Sequence, residues 1–135
     1  MIKMRINKNS KGIKKNGLSY MFTGDILCER GDLVINLDAP LKVIGNIKVI
    51  GNIKSLSSLR IEGNIECVNL YVIGAVKCTG NLRVQGKTFS LYSIHTEGKV
   101  ISHEIVTEGE VTGDAIYAHT VQAPLGYHGR IEWIG

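Results

Sequence analysis

The stretch Leu41-Lys42-Val43-Ile44-Gly45-Asn46, LKVIGN, is followed at once by IKVIGN from Ile47. The same six-residue phrase returns as LRIEGN from Leu59, LYVIGA from Leu70, VKCTGN from Val76, LRVQGK from Leu82, IHTEGK from Ile94 and IVTEGE from Ile105. Apolar residues at the first and third positions, polar residues between them and Gly at the fifth describe a short strand with one buried face, closed by a turn. A period this short, kept over most of a chain, is the signature of a solenoid, in which each turn buries its core against the next.

Weaker units fill the gaps: INLDAP from Ile35, IKSLSS from Ile53, IECVN from Ile65, TFSLYS from Thr88, VISHE from Val100, VTGDA from Val111 and IYAHT from Ile116. Grouped in threes they give rungs of roughly 16 to 18 residues starting at Ile35, Ile53, Leu70, Thr88, Ile105 and Val121. Three strands per rung imply a triangular parallel β-helix, all-β and single-domain, of about six to seven rungs. The middle column carries Gly at or near each unit's end, so Gly45-Asn46, Gly63-Asn64 and Gly80-Asn81 read as stacked corners. In the first column Ser55, Ser57, Ser58, Ser90 and Ser93 stand in place of the corner Gly, and the inward phase of Leu56, Phe89 and Leu91 is open.

Composition fits this fold. The 135 residues include sixteen glycines, two prolines and only 6% aromatic residues, as expected of a narrow core filled by stacked Ile, Val and Leu. No apolar run resembles a signal or a membrane span, which leads to the expectation of a cytoplasmic protein. Cys28, Cys67 and Cys78 fall on inward positions without metal or redox spacing and read as buried thiols. His103 and His119 share an outward position on consecutive rungs, about 5 Å apart. No carboxylate or Cys completes a metal site beside them, so they read as exposed histidines.

The hexads only partly follow those of the three-sided acyltransferases. After the buried aliphatic, where those enzymes place a small residue, this chain has Lys42, Lys48, Arg60, Tyr71, Lys77 or Arg83. No Ser/His/Asp or paired-carboxylate arrangement emerges. The expectation is therefore a non-enzymatic protein with no catalytic, cofactor-binding or metal-binding residues.

The cadence of IGNIKVIGNI, of LRIEGNIECVNLYVIGAV and of IVTEGEVTGDAIYAHTVQAPLGYHGRIEWIG resembles that of the bactofilins, bacterial cytoskeletal proteins. The likeness runs from about Leu18 to Gly135. It implies a right-handed β-helix that assembles end to end into filaments without nucleotide, by contacts between like ends, attaches to the inner membrane surface and scaffolds client proteins. Its partners would then be further copies of itself, the membrane surface and a client.

Solenoid physics points the same way, because terminal rungs leave unpaired strand edges and an unfinished core. The sequence places Leu18, Tyr20, Phe22 and Ile26 at one such end and Ile131, Trp133 and Ile134 at the other. Residues 1–17 read as a basic, flexible tail ahead of a β-helix domain spanning 18–135. Three readings of that tail stay open. Met1, Ile2, Met4 and Ile6 with Lys3 and Arg5 insert into an anionic membrane; or they alternate as a strand that caps the first rung; or the tail is disordered and solubilising.

Charge is uneven: residues 1–60 hold eleven Lys/Arg against four Asp/Glu, and residues 61–135 hold five against eight. That asymmetry favours contacts between unlike ends. Lys42, Arg60, Lys77 and His95 form a basic ladder, with Lys48 and Arg83 on the next face. Glu62 and Glu97 interleave, so nucleic-acid binding is the weaker reading. The alternative function is a discrete binding module or inhibitor, for instance phage-encoded, that recognises a protein or nucleic acid through one flat face. Tyr71, Ile73 and Val106, with Leu56, Phe89 and Leu91, are candidates for such an apolar face.

Overall fold

The computed structural model describes residues 3–135 and contains eighteen strands and no helix. Two strands precede the rungs, β1 (Lys3–Ile6) and β2 (Lys14–Asn16). The first rung is β3 (Ser19–Thr23), β4 (Ile26–Cys28) and β5 (Asp32–Ile35); the second is β6 (Leu41–Ile44), β7 (Ile47–Val49) and β8 (Ile53–Ser55); the third is β9 (Leu59–Glu62), β10 (Ile65–Cys67) and β11 (Leu70–Val72). Higher up, a single strand rounds a corner and serves two faces. The fourth rung is β12 (Val76–Cys78) with β13 (Leu82–Ser90), the fifth β14 (Ile94–Thr96) with β15 (Lys99–Thr107), and the sixth β16 (Val111–Ala118) with β17 (Thr120–Gln122). β18 (Tyr127–Trp133) adds two faces of a seventh.

Every rung-to-rung pairing is parallel. The molecule is thus a three-sided parallel β-solenoid of about six turns, as the hexads require. Register stacks like residue on like residue. On the first face Leu41, Leu59, Val76, Ile94 and Val111 lie one above another, all buried. Ile26, Ile47, Ile65, Leu82, Val100 and Ile116 do the same on the second face. Each buried aliphatic contributes roughly 1.5–3 kcal/mol by leaving water.

The corners are locked by polar ladders that the hexads only hint at. Where the first face turns into the second, the side chain of Asp25 accepts the amide of Asn46. Asn46 accepts that of Asn64, Asn64 that of Asn81 and Asn81 that of Lys99, each at 2.8 Å. The next corner repeats the device with Asp32 accepting from Asn52 and Asn69 from Lys87. At the third, Ser58 accepts from Ala75 and Ser93 from Glu110. Gly63 is required here by crowding, since a Cβ would fall inside the contact distance of the Gly45 carbonyl oxygen on the rung below.

Two sequence expectations are corrected. On the third face the first unit begins at Leu33, which pairs with Ile53, and Ile35 is the second inward residue, paired with Ser55. The hexad rule missed this because the corner through Pro40 makes the first rung longer. Second, Ser55 and Ser90 are inward, buried strand residues rather than corner substitutes. Their hydroxyls donate to the carbonyls of Ser57 and Gly74, and the buried Thr88 and Ser102 hydroxyls bond each other at 2.9 Å. These four buried hydroxyls persist because each has a partner, whereas the buried Ser57 Oγ nearby has none among the described residues. Leu56 is accordingly exposed, and Phe89 and Leu91 are half-buried.

The segment expected to be a flexible tail is a cap. β1 pairs in parallel with β5, adding a strand to the third face, and buries Ile6. The chain then doubles back, and β2 pairs antiparallel with β3, covering the outer edge of the first face. Tyr20 is buried beneath it, donates its hydroxyl to Asp38 Oδ1 at 2.7 Å, and carries Lys15 Nζ 4.8 Å above its ring. Of the other tail residues named from sequence, Met1 and Ile2 lie outside the described residues.

Two expectations test this architecture. Asn64→Ala removes the acceptor for Asn81 N–H and should lower stability by about 1 kcal/mol, read as a lower urea midpoint at unchanged slope; an unchanged midpoint would refute the ladder. The Tyr20 hydrogen bond holds the Asp38 carboxyl below its usual range and lifts the phenol above its own. Asp38 therefore contributes stability above the ordinary carboxylate pKa that is lost as pH falls through its lowered value. Tyr20→Phe should flatten the acid limb of stability against pH; parallel wild-type and variant profiles would exclude the bond's role.

Candidate interaction surfaces

Stacking that aligns the core also aligns the outward residues, so every face carries stripes at a spacing of about 4.8 Å. On the first face Lys42, Arg60, Lys77 and His95 stand in one register, as the sequence placed them. Lys48 and Arg83 stand on the second face with Glu66 between them. Carboxylates interrupt both rows, at 3.4 Å in Lys42–Glu62 and 3.7 Å in Lys48–Glu66. Pairs this exposed contribute little to stability, about 0–1 kcal/mol, but they dilute the positive stripe.

The third face is different. Its outward register runs Val34, Lys54, Tyr71, Phe89 and Val106. Tyr71 and Phe89 stack with ring centroids 4.9 Å apart, and Lys54 lies 5.9 Å over the Tyr71 ring. The structure brings the six apolar candidates Leu56, Tyr71, Ile73, Phe89, Leu91 and Val106 onto this one side, none of them buried.

His103 and His119 stack 4.9 Å apart with rings 5° from parallel, and His119 Nδ1 is 2.9 Å from the Ile134 carbonyl oxygen. Among the described residues no three His, Cys, Asp or Glu groups converge as metal ligands would. The three cysteines are buried. Burial first, and the Glu66 carboxylate second, push the Cys67 thiol up to about 12; burial also raises Cys78. Both thiols stay protonated and unreactive near neutral pH.

The two ends are unlike. At the C-terminal end β18 pairs only with β16 among the described residues, leaving its far edge open there. Tyr127 stacks on Val111, Ile131 on Ile116 and Trp133 on Ala118, so these residues prolong the core ladders into solvent. Trp133 is 57% exposed, with Tyr127 edge-on at 6.2 Å. Ile134 is also exposed.

At the N-terminal end the cap hides what the sequence left open. Tyr20 and Ile26 are buried and Phe22 half-buried, while Leu18 is 90% exposed at the tip of the β2–β3 hairpin, away from the core. Of the proposed membrane residues, Ile6 is buried, Met4 and Arg5 are exposed, and β1 is a strand rather than a free anchor. The cap was legible only as alternation of Ile2, Met4 and Ile6; the antiparallel return of β2, three polar residues long, had no hydrophobic signal. It covers the end incompletely. Among the described residues the outer edge of β4 is unpaired, and beside it lies a pocket of about 490 Å³, open to solvent, walled by Ile6, Ile13, Phe22, Ile26 and Leu27, with Arg5, Ser10, Lys11 and Asp25 also lining it.

Comparison with known proteins finds no family model, no curated protein and no solved structure that matches this chain.

Proposed function

We propose that this protein is a non-enzymatic scaffold that self-assembles through the ends of its solenoid into nucleotide-independent filaments, the end-to-end mode that its bactofilin-like cadence implies. One observation carries the reading. At the C-terminal end the core ladders continue past the last complete rung into Tyr127, Ile131 and Trp133, beside an unpaired strand edge. Open edges of this sort are templates for pairing with another chain. The exposed part of each large side chain is worth on the order of 2 kcal/mol when covered. A cytoplasmic site of action, a membrane surface and a client protein remain proposals that follow from the resemblance. Ile6 is buried in the cap, so a membrane contact by the described part of the tail would draw on Met4, Arg5 and the exposed lysines instead.

A second reading has its own observation. The Tyr71–Phe89 stack with Leu56, Ile73 and Leu91 is a partly exposed apolar side suited to a discrete binding module. The two readings separate by concentration and by position. Trp133→Lys should abolish assembly seen by sedimentation velocity and negative-stain microscopy at rising concentration, whereas Tyr71→Lys should leave it intact. A wild-type chain that stays monomeric at every concentration would sink the scaffold.

A further inference from the structure

We propose that the assembly is polar: the C-terminal end of one copy docks on the N-terminal end of the next, with β18 pairing against β4. The proposal rests on the end-to-end assembly reading above and specifies its partner surface, with unlike ends meeting in place of the like-end contacts that the bactofilin resemblance implies.

Winding order supplies the first argument. β18 ends on the second face, over Ala115–Ala118. The next step of the winding is the third face, and β1 of a following copy already lies on that face, one level ahead of β5. The top of one solenoid and the bottom of another are therefore successive steps of one staircase. On the second face the fit is direct, because β18 presents an open edge and β4 presents the complementary open edge. Continuing the register would set Ile131 against Ile26 and Trp133 against Cys28. Both side chains would then enter the side of the first rung where the 490 Å³ pocket lies. The pocket is open to solvent, and its apolar wall of Ile6, Ile13, Phe22 and Ile26 matches the apolar character of the incoming side chains.

Charge is the second argument. The N-terminal end bears Arg5, Lys8, Lys11, Lys14, Lys15 and Arg30 against Asp25, Glu29, Asp32 and Asp38, and among the described residues none of these cations lies within ion-pair distance of a carboxylate. Around the C-terminal end stand Glu108, Glu110, Asp114 and Glu132 against Arg130, and among the described residues only Glu110 of these carboxylates is in an ion pair, with His128. Joining unlike ends sets the acidic end against the basic one. Joining like ends would crowd equal charges, which disfavours association. A contact between different surfaces that advances along an axis generates an open filament.

One element stands in the way. β2 occupies the first-face step that the Tyr127–His128 part of β18 would take. It is antiparallel, fully exposed, and bracketed by Gly12 at φ 85° and Gly17 at φ 65°, conformations that few other residues adopt. The join requires this hairpin arm to swing aside, so the cap also restrains growth.

Cysteine cross-linking tests the polarity. Leu27 and Glu132 occupy the same outward ladder of the second face at opposite ends. Across a head-to-tail join they would be neighbours about 5 Å apart, within disulfide reach. Leu27→Cys and Glu132→Cys chains are mixed under mild oxidation, with each alone and the unmodified chain as controls, while sedimentation of the unmodified chain reports assembly. The expected result is a cross-linked pair in the mixture at least tenfold above either variant alone, and a ladder of oligomers from the double variant. A strong cross-link from Glu132→Cys alone would overturn polarity and leave end-to-end assembly standing. Assembly with no cross-link in any sample would overturn the β18–β4 pairing. Absence of assembly would overturn both readings.

Discussion

Everything in this molecule depends on vertical registry, the requirement that each inward side chain sit directly on its counterpart one rung away. A solenoid this slender has no second layer to pack against, so its hydrophobic gain comes from repeating the same contact. Leu59 between Leu41 and Val76, or Ile65 between Ile47 and Leu82, shows the unit of stabilisation. A one-residue slip would turn a whole strand inside out. The Asn and Asp ladders at the corners oppose that slip, since each side chain reaches the amide of a single residue above it.

Registry also organises the surface. Because outward residues stack as faithfully as inward ones, single substitutions in sequence become stripes in space: a basic row broken by carboxylates on the first face, an apolar aromatic row on the third. The same rule explains why the ends matter. A ladder cannot finish neatly. At the N-terminal end the chain supplies its own partial remedy in β1 and β2, whose exposed Lys14 and Lys15 blunt the edge as edge lysines do elsewhere. At the other end β18 carries Tyr127, Ile131 and Trp133 along an edge that is unpaired among the described residues.

The difference between the ends has a consequence for any assembly. Where both termini are equally bare, like-to-like and unlike contacts compete on similar terms. Here one end is basic, capped and cavitied, and the other acidic, open and aromatic, so the two contacts differ in both charge and shape. The cap then has two roles, closing the core of the monomer and occupying a step that a neighbour would need.

Much of this was legible in the hexads. Inward and outward phase, the three columns, the stacked Gly-Asn corners and the alignment of Lys42, Arg60, Lys77 and His95 follow from a period that local chemistry enforces on every rung. The serine units misled because a buried hydroxyl with a carbonyl partner looks, in sequence, like a turn residue; only the neighbouring rung shows where its hydrogen bond goes. The first unit at Leu33 was obscured by a longer corner. The sequence by itself therefore determined the repeating cross-section, since apolar alternation and crowding at glycine corners act over a few residues. Only the tertiary structure decided how the ladder ends. The pairing of β1 with β5, the reversal into β2 and the open pocket beside β4 depend on contacts between segments that share no periodic signal, where chain entropy and a few polar hydrogen bonds decide the path.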